Sequence, residues 1–323
     1  MVQILVYIGK NGRFALPCGL IAGLFLPNLA QSMKPLLPEM ILFLLFLTAY
    51  RIGHKDCLNG LKNSRTSFSL TLIYQLVLPI FAMIALWFLD LLNTEFAIAI
   101  ILMLSAPPIT GASNFTILLG HNPEPAFRIL ILGTLVLPIT IMPVFWLSPN
   151  LGDLRTAVDT SLRLLVSIWI VVILAFVFRK FSLPSPTTNQ FIALDGFTSI
   201  ILGVVVIGFM SAIGPALVEH PFTVLKWLII ALIANLGLQY TAFKIFLLTD
   251  RAKNAVPFAV VAGNRNFALF LIALPPSTIE PLLIFLGCYQ IPMYLTPILM
   301  SPIFKNANFS KHSSQTDSKH RSL

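Results

Sequence analysis

The residues whose types point most directly to chemistry are Asn264, Arg265 and Asn266, which stand together inside the apolar run "VVAGNRNFALFLIAL". An arginine in the middle of a membrane segment costs about 2.5–3.5 kcal/mol on insertion scales, so such a charge usually serves a function. The acids that could pair with it fall near the ends of apolar runs, at Glu39, Asp90, Glu95, Asp195, Glu219 and Glu280. The partners that remain for Arg265 are backbone carbonyls or an anion that a substrate brings.

A second interruption lies in the apolar run "SAPPITGASNFTILLG". Pro107 and Pro108 remove backbone donors and Gly111 loosens the chain, so a helix is expected to break there. Side-chain oxygens that could act as ligands follow the prolines, at Thr110, Ser113 and Asn114. Taken alone, the stretch fits a simple kink or close helix packing equally well.

Two further polar or small-residue patterns occur within apolar runs. Gln75, in "LIYQLVLP", is either a hydrogen-bonding contact between helices or a ligand in a pore. Gly19 and Gly23, in "GLIAG", have the small-xxx-small spacing that predicts close packing of two helices.

The composition identifies the class of protein that carries these residues. Of 323 residues, 57% are hydrophobic and 10% are charged, with a mean hydropathy of +0.89. The apolar runs are continuous and long enough to cross a bilayer as helices, which predicts an all-α polytopic membrane protein and excludes an alternating β-barrel pattern. Cys18, Cys57 and Cys288, with five scattered histidines, have no metal-ligand spacing.

Ten membrane spans are predicted from the apolar runs and the turn-like or charged breaks between them. They cover 14–31, 37–53, 67–90, 94–120, 124–147, 160–179, 193–217, 222–248, 254–274 and 280–304. The polar segment 306–323 has no apolar periodicity and is expected to be a disordered cytoplasmic tail.

The distribution of basic residues predicts the orientation. Ten spans put both termini on one side, which receives sixteen lysines and arginines, against four on the other side at Lys34, Arg155, Arg163 and Lys226. The positive-inside rule then places both termini in the cytoplasm, and we expect an integral protein of a bacterial inner (plasma) membrane with lipid as its surroundings. The dispersed positive charge gives no reason to expect nucleic acid as a partner.

The spans divide into two blocks of five, residues 1–150 and 151–305, which would enter the membrane from opposite sides as an inverted repeat. The two interruptions fall in the fourth span of each block, and matched breaks of this kind mark the binding site of many secondary transporters. We therefore expect discontinuous helices 4 and 9 to cross, with Gly263 at the second break.

These residues resemble the bile acid:sodium symporter family, within the larger group that includes arsenite and auxin-efflux-like carriers. "PITGASN" (108–114) is similar to the family's "PGGTxSN", "GTLVLP" (133–138) to its "STLLAP", "QLVLP" (75–79) to its "QFxxMP", and "VAGNRN" (261–266) to its "ExGxQN". The resemblance follows the order of the spans along most of the chain, and its identities concentrate in helices 4 and 9.

The resemblance implies a panel domain from spans 1, 2, 6 and 7 and a core domain from spans 3–5 and 8–10. Substrate would bind in the crevice beside the crossed helices, and alternating access would move the core against the panel. The implied substrate is a small organic anion, such as a bile acid or another carboxylate, usually carried with sodium. The implied binding or coupling residues are Arg265, Asn266, Asn264, Gly263, Asn114, Ser113, Thr110 and Gln75.

Two departures from the family pattern bear on the sodium ion. Val261 and Arg265 stand where the family has its sodium-binding glutamate and a glutamine. Without that carboxylate, Ser113, Asn114 and Gln75 are the sodium ligands that remain, and a nearby guanidinium repels the ion. The hypothesis is that Arg265 replaces sodium as a fixed positive charge and balances an anionic substrate.

Other functions are supported by fewer residues of the sequence. An efflux carrier, uncoupled or coupled to protons, would resemble the auxin-efflux-like relatives, but no carboxylate or histidine is expected at mid-membrane depth to relay a proton. A receptor that binds an anion without transporting it needs the same site. An enzyme needs convergent catalytic groups, and the nearest pair, His121 and Glu124, reads as a solvated turn, so no catalytic residue is predicted. The sequence leaves the oligomeric state open.

Overall fold

The computed structural model of the chain describes residues 2–10, 15–61, 65–148, 151, 154–184 and 186–305. Over these residues every regular element is a helix. The α-helices are α1 (Val2–Lys10), α2 (Ala15–Phe25), α3 (Pro27–Met33), α4 (Leu37–Leu61), α5 (Arg65–Leu72), α6 (Leu78–Phe88), α7 (Glu95–Ser105), α8 (Ala112–Leu118), α9 (Glu124–Leu147), α10 (Leu154–Ser182), α11 (Thr188–Phe209), α12 (Ile213–Glu219), α13 (Pro221–Leu247), α14 (Ala255–Gly263), α15 (Pro276–Ile279) and α16 (Leu283–Leu299). A π-helical turn, Ile73–Val77, joins α5 to α6, and a 3-10 helix, Phe267–Ile272, follows α14.

Seven of the described helical segments are long and apolar enough to cross a membrane. They begin at Pro27, Arg65, Glu124, Leu154, Thr188, Pro221 and Pro276. The first, Pro27–Leu58, overlaps the predicted spans 14–31 and 37–53, and each of the other six overlaps one predicted span. The prediction of an all-α membrane protein is therefore confirmed. The predicted spans 94–120 and 254–274 fall on pairs of short helices, because each is interrupted where the sequence indicated a break.

The first predicted span, 14–31, corresponds to α2 and α3, and the structure adds α1 before it. Both α1 and α2 pack along α11 through glycines. A Cβ on Gly9 would lie 3.0 Å from the side chain of Ile192, and one on Gly23 would lie 2.7 Å from Met210. Gly19 meets the backbone of Gly203 in the same way, so the packing role predicted for Gly19 and Gly23 is confirmed.

One end of the helix bundle is held by an arginine at a helix break. Helix α4 is broken at Gly53, whose φ of 71° lies in the left-handed region that favours glycine. Arg179 of α10 donates to the carbonyls of Tyr50 (2.5 Å) and Arg51, just before this break. Arg51 in turn forms a two-point ion pair with Asp195 of α11. The predicted end of the second span, at residue 53, coincides with the break.

The turns at the opposite end of the bundle also meet. Lys34, between α3 and α4, pairs with Glu280, after α15, at 3.1 Å. A cavity of about 270 Å³ lies between Asn93 and Glu95 on one side and Ser277 and Thr278 on the other. The turns before α4, before α7 and after the 3-10 helix therefore lie on one face. The segment 306–323 and most of the junction near residue 150 lie outside the described residues.

Candidate functional site

The two interrupted spans meet at their breaks. Ile109 donates its backbone N–H to the carbonyl of Asn264 at 2.9 Å, and Asn266 donates to the carbonyl of Pro107 at 2.7 Å. These bonds form an isolated antiparallel bridge centred on Pro108 and Arg265. We call this meeting point of residues 106–110 and 262–266 the crossing. The pairing satisfies backbone groups that proline-broken helices leave free, which an apolar interior requires.

The guanidinium of Arg265 joins three segments at this bridge. Its Nε donates to the carbonyl of Ala262 at 2.8 Å, one Nη to that of Ala106 at 3.0 Å, and the other to that of Tyr74 at 3.3 Å. The guanidinium carbon also lies 4.9 Å from the centre of the Tyr74 ring. Arg265 is 1% exposed, so its charge is enclosed by protein.

The charge of Arg265 is balanced by dipoles. Ala262 lies in the last turn of α14, and Ala106 directly follows α7, so the guanidinium sits where two helix C-termini concentrate partial negative charge. Within the part of the chain that the structure describes, no carboxylate lies within 4.0 Å of it; the ion pairs there involve Lys34, Arg51 and Arg128. Its binding partners are carbonyls, the first of the two alternatives left open by the sequence.

Gln75 lies on the other side of the prolines. It is 1% exposed within the π-helical turn, and its Oε1 accepts from the hydroxyl of Thr140 at 3.3 Å. Its Nε2 has no hydrogen-bond partner among the described residues. A Cβ on Gly133 would lie 2.7 Å from that Nε2 and 3.2 Å from the ring of Pro108, so Gly133 leaves the space that Gln75 and Pro108 fill.

Asn264 belongs to a buried polar network that the sequence analysis missed. Its Oδ1 accepts from Asn235 at 3.3 Å and from Thr296 at 3.0 Å, and its Nδ2 donates to the carbonyl of Val260 at 2.9 Å. Gln239 bonds Asn235 at 2.7 Å and Thr296 at 3.0 Å. The signal was present, because Asn235 and Gln239 are one turn apart within the apolar helix α13.

Gly263 is tied into the same network through its backbone. Its carbonyl accepts from Asn235 at 2.7 Å and from the hydroxyl of Tyr289. A Cβ on Gly263 would lie 2.5 Å from Cγ of Gln239 and closer still to the backbone of Asn235. Glycine at this position therefore serves a close approach of α14 to α13.

The remaining predicted ligands lie nearer the surface of the crossing. Thr110 accepts from the hydroxyl of Thr48 in α4 at 3.2 Å. Asn266 is half-buried and Asn114 is exposed. Ser113 is half-buried as a residue, but its hydroxyl oxygen is enclosed and has no partner among the described residues. The predicted set is thus divided between enclosed groups that hold the crossing together and accessible groups beside it.

Gly111, which was singled out for the break, has a different environment from the one expected. Gly111 has an ordinary helical φ of −73°, and a Cβ there would make only van der Waals contacts from 3.6 Å, so the break does not require glycine at this position. The break follows from Pro107 and Pro108. Val261 is fully buried within α14 and offers no side-chain oxygen.

Comparison of the sequence with protein-family models found no match, and comparison with curated proteins found none either. The family resemblance therefore rests on the short motifs alone.

The close approach at Gly263 gives a stability prediction. We expect Gly263→Ala to lower the thermal unfolding temperature in detergent, because overpacking of this kind typically costs about 1–3 kcal/mol. Gly237→Ala is the matched control, since a Cβ on Gly237 in α13 meets nothing within 4 Å. The control should be as stable as wild type or slightly more so. Equal melting temperatures for the two variants would contradict the observed packing.

Proposed function

We propose that the protein is a secondary transporter of a small organic anion and that Arg265 supplies a built-in positive charge at its substrate site. The observation that carries the proposal is the enclosed guanidinium, held by carbonyls of two broken spans and one π-helical turn, with no described carboxylate in contact. Paired broken helices at mid-membrane depth are the usual binding architecture of secondary transporters.

Several features support an inverted repeat of two five-span blocks. Each fifth span contains two prolines five positions apart, Pro138 and Pro143 in α9 and Pro292 and Pro297 in α16. Each block also joins its third and fifth spans through a glutamine and a threonine, Gln75 with Thr140 and Gln239 with Thr296. These equivalent contacts flank the crossing from its two sides.

Helix packing supports the division into a panel and a core. Helix α11 packs against α1, α2 and α4, and α10 packs against α4. A second group joins α13 with α14 and α16, and α9 with α5. We assign the first group to the panel and the second to the core. Contacts across this boundary are also present: α9 packs closely against α10, the 3-10 helix 267–272 lies against α4 and α10, and Thr48 bonds Thr110.

The accessible groups beside the crossing are suited to an anion. Thr110, Asn114 and Asn266 present hydroxyl and amide donors. The positive charge of Arg265 lies behind them in an interior of low dielectric, where it lowers the energy of a nearby anion without touching it. Sodium would be repelled by the same charge, and Val261 offers it no carboxylate. The carrier is therefore proposed to work without sodium, as an exchanger or an uncoupled carrier.

The proposed orientation places both termini in the cytoplasm. The face that joins Lys34 to Glu280 carries the turns expected outside, and the end that holds Arg51, Arg179 and Asp195 is the one expected inside. The inside end is the more basic, as the positive-inside rule requires.

The fixed-charge proposal predicts transport without sodium. Purified protein in lipid vesicles should take up a labelled bile acid such as taurocholate, or a labelled small carboxylate, at rates that change less than about twofold when choline replaces sodium. The double variant Val261→Glu, Arg265→Gln restores the family's residue types and should acquire sodium dependence. Loss of wild-type uptake in choline would refute the fixed-charge role.

Replacement of Arg265 tests the site directly. Arg265→Gln should reduce uptake at least about 100-fold, because the charge and its carbonyl contacts are lost together. Arg265→Lys keeps the charge and should retain part of the uptake. Arg251→Gln, an exposed arginine in the turn before α14, serves as the control and should transport normally.

Gel filtration and thermal unfolding of each variant would separate loss of transport from loss of fold. Normal uptake by a folded Arg265→Gln protein would refute the assignment of the site.

A further inference from the structure

A groove of about 600 Å³ lies between α10 and the end of the 3-10 helix, away from the crossing. Ile272 forms one wall, and α10 forms the other with Asp159, Leu162, Arg163, Val166 and Ser167. The groove is open along one side, so a bound molecule would lie against the protein surface and not be enclosed by it.

Arg163 is an available cation in this groove. It lies in the third turn of α10, it is exposed, and none of the carboxylates that the structure describes lies within 4.0 Å of it. Asp159, one turn earlier, lines the groove but does not pair with it. An arginine this far along a membrane helix either extends along the surface to the lipid headgroups or binds an anion within the protein.

The other residues of the groove indicate the class of anion. Leu162 and Val166 are exposed aliphatic side chains directly beside Arg163, and Ser167 offers a hydroxyl one turn further along. A ligand with one anionic group and an apolar body could bind the guanidinium of Arg163 and pack against Leu162 and Val166 at the same time. The carboxylate of Asp159 disfavours a second negative charge on the ligand.

The groove is connected to the crossing by a single short element. The 3-10 helix starts directly after Asn266 and ends at Ile272. At a rise of about 2 Å per residue, it covers about 12 Å between the two places. The wall of the groove at Ile272 is thus about the length of one small molecule away from Asn266.

We propose that this groove is a second, outer binding site for an amphipathic organic monoanion, with Arg163 as the cation that holds its charged group. Its place on a transport path rests on the proposed function, but binding by the groove does not.

Charge-selective labelling of a cysteine in the groove tests the site without transport. Ser167→Cys is introduced into protein in which the exposed Cys18 is replaced by serine; Cys57 and Cys288 are buried. The purified protein, in uncharged detergent, reacts with a sulfonatoethyl or a trimethylammonioethyl methanethiosulfonate, and both rates are measured. The protein without Ser167→Cys gives the background.

The expected result is a rate ratio, anionic over cationic reagent, that depends on Arg163. Arg163→Gln should lower this ratio at least about tenfold, because removal of a nearby charge acts on the two reagents in opposite directions. Arg155→Gln changes an exposed arginine two turns earlier on the same helix, outside the groove, and should leave the ratio within about twofold.

An unchanged ratio in Arg163→Gln, or no labelling of Ser167→Cys, would overturn the outer site and favour an arginine that extends to the headgroups. Vesicle uptake separates this result from the transport proposal. Arg163-dependent labelling without any anion uptake would support the outer site and refute the transporter. Anion uptake with an unchanged ratio would support the transporter and refute the outer site.

Discussion

The crossing of the two broken spans depends on the hydrogen bonds of Arg265. Its guanidinium binds carbonyls of Ala262, Ala106 and Tyr74, which belong to three different segments. Each carbonyl would otherwise be unpaired in an apolar interior, at a cost of about 1–3 kcal/mol apiece. The planar guanidinium also fixes the angles between the segments, which a lysine, with a single ammonium group, does less well. A bound metal ion would hold the same carbonyls only while it stayed bound.

An arginine that donates to the carbonyls at the end of a broken helix occurs twice in the molecule. Arg179 binds the carbonyls of Tyr50 and Arg51 before the break at Gly53, as Arg265 does at the ends of α7 and α14. In both places an arginine neutralises a helix C-terminus that a break has exposed; Arg179 comes from another helix, whereas Arg265 directly follows α14 and also reaches the end of α7. The two sites differ in the groups that balance the positive charge of the arginines. Arg51, beside Arg179, is paired with Asp195, whereas Arg265 has carbonyls and the Tyr74 ring.

The parts of this arrangement that sequence could predict are those with strong local causes. Two adjacent prolines and an intramembrane arginine are costly in a membrane helix, so the breaks at Pro107 and at Asn264 were predictable.

Features that arise from tertiary packing could not be predicted from the sequence. The π-helical turn around Gln75 and the groove beside Arg163 depend on how helices far apart in sequence pack together. Asn235 and Gln239 were not predicted, because an uncharged amide costs much less in a membrane helix than an arginine and is therefore a weaker signal of a site. Helix α1 was missed because Lys10 and Arg13 resemble the residues that flank a span.

The 3-10 helix that follows Asn266 has a mechanical consequence. Six residues in this conformation are longer than six α-helical residues by about 3 Å and are wound tighter by about a third of a turn. Relaxation to α-helix would therefore shorten and unwind the connection between the crossing and Ile272 while α14 stayed fixed. The equivalent segment of the other break, α8, is already α-helical. The segment after Asn266 can thus shorten by changing from a 3-10 helix to an α-helix, whereas α8 cannot. Of the two segments that follow the breaks, only the one next to the groove can contract in this way.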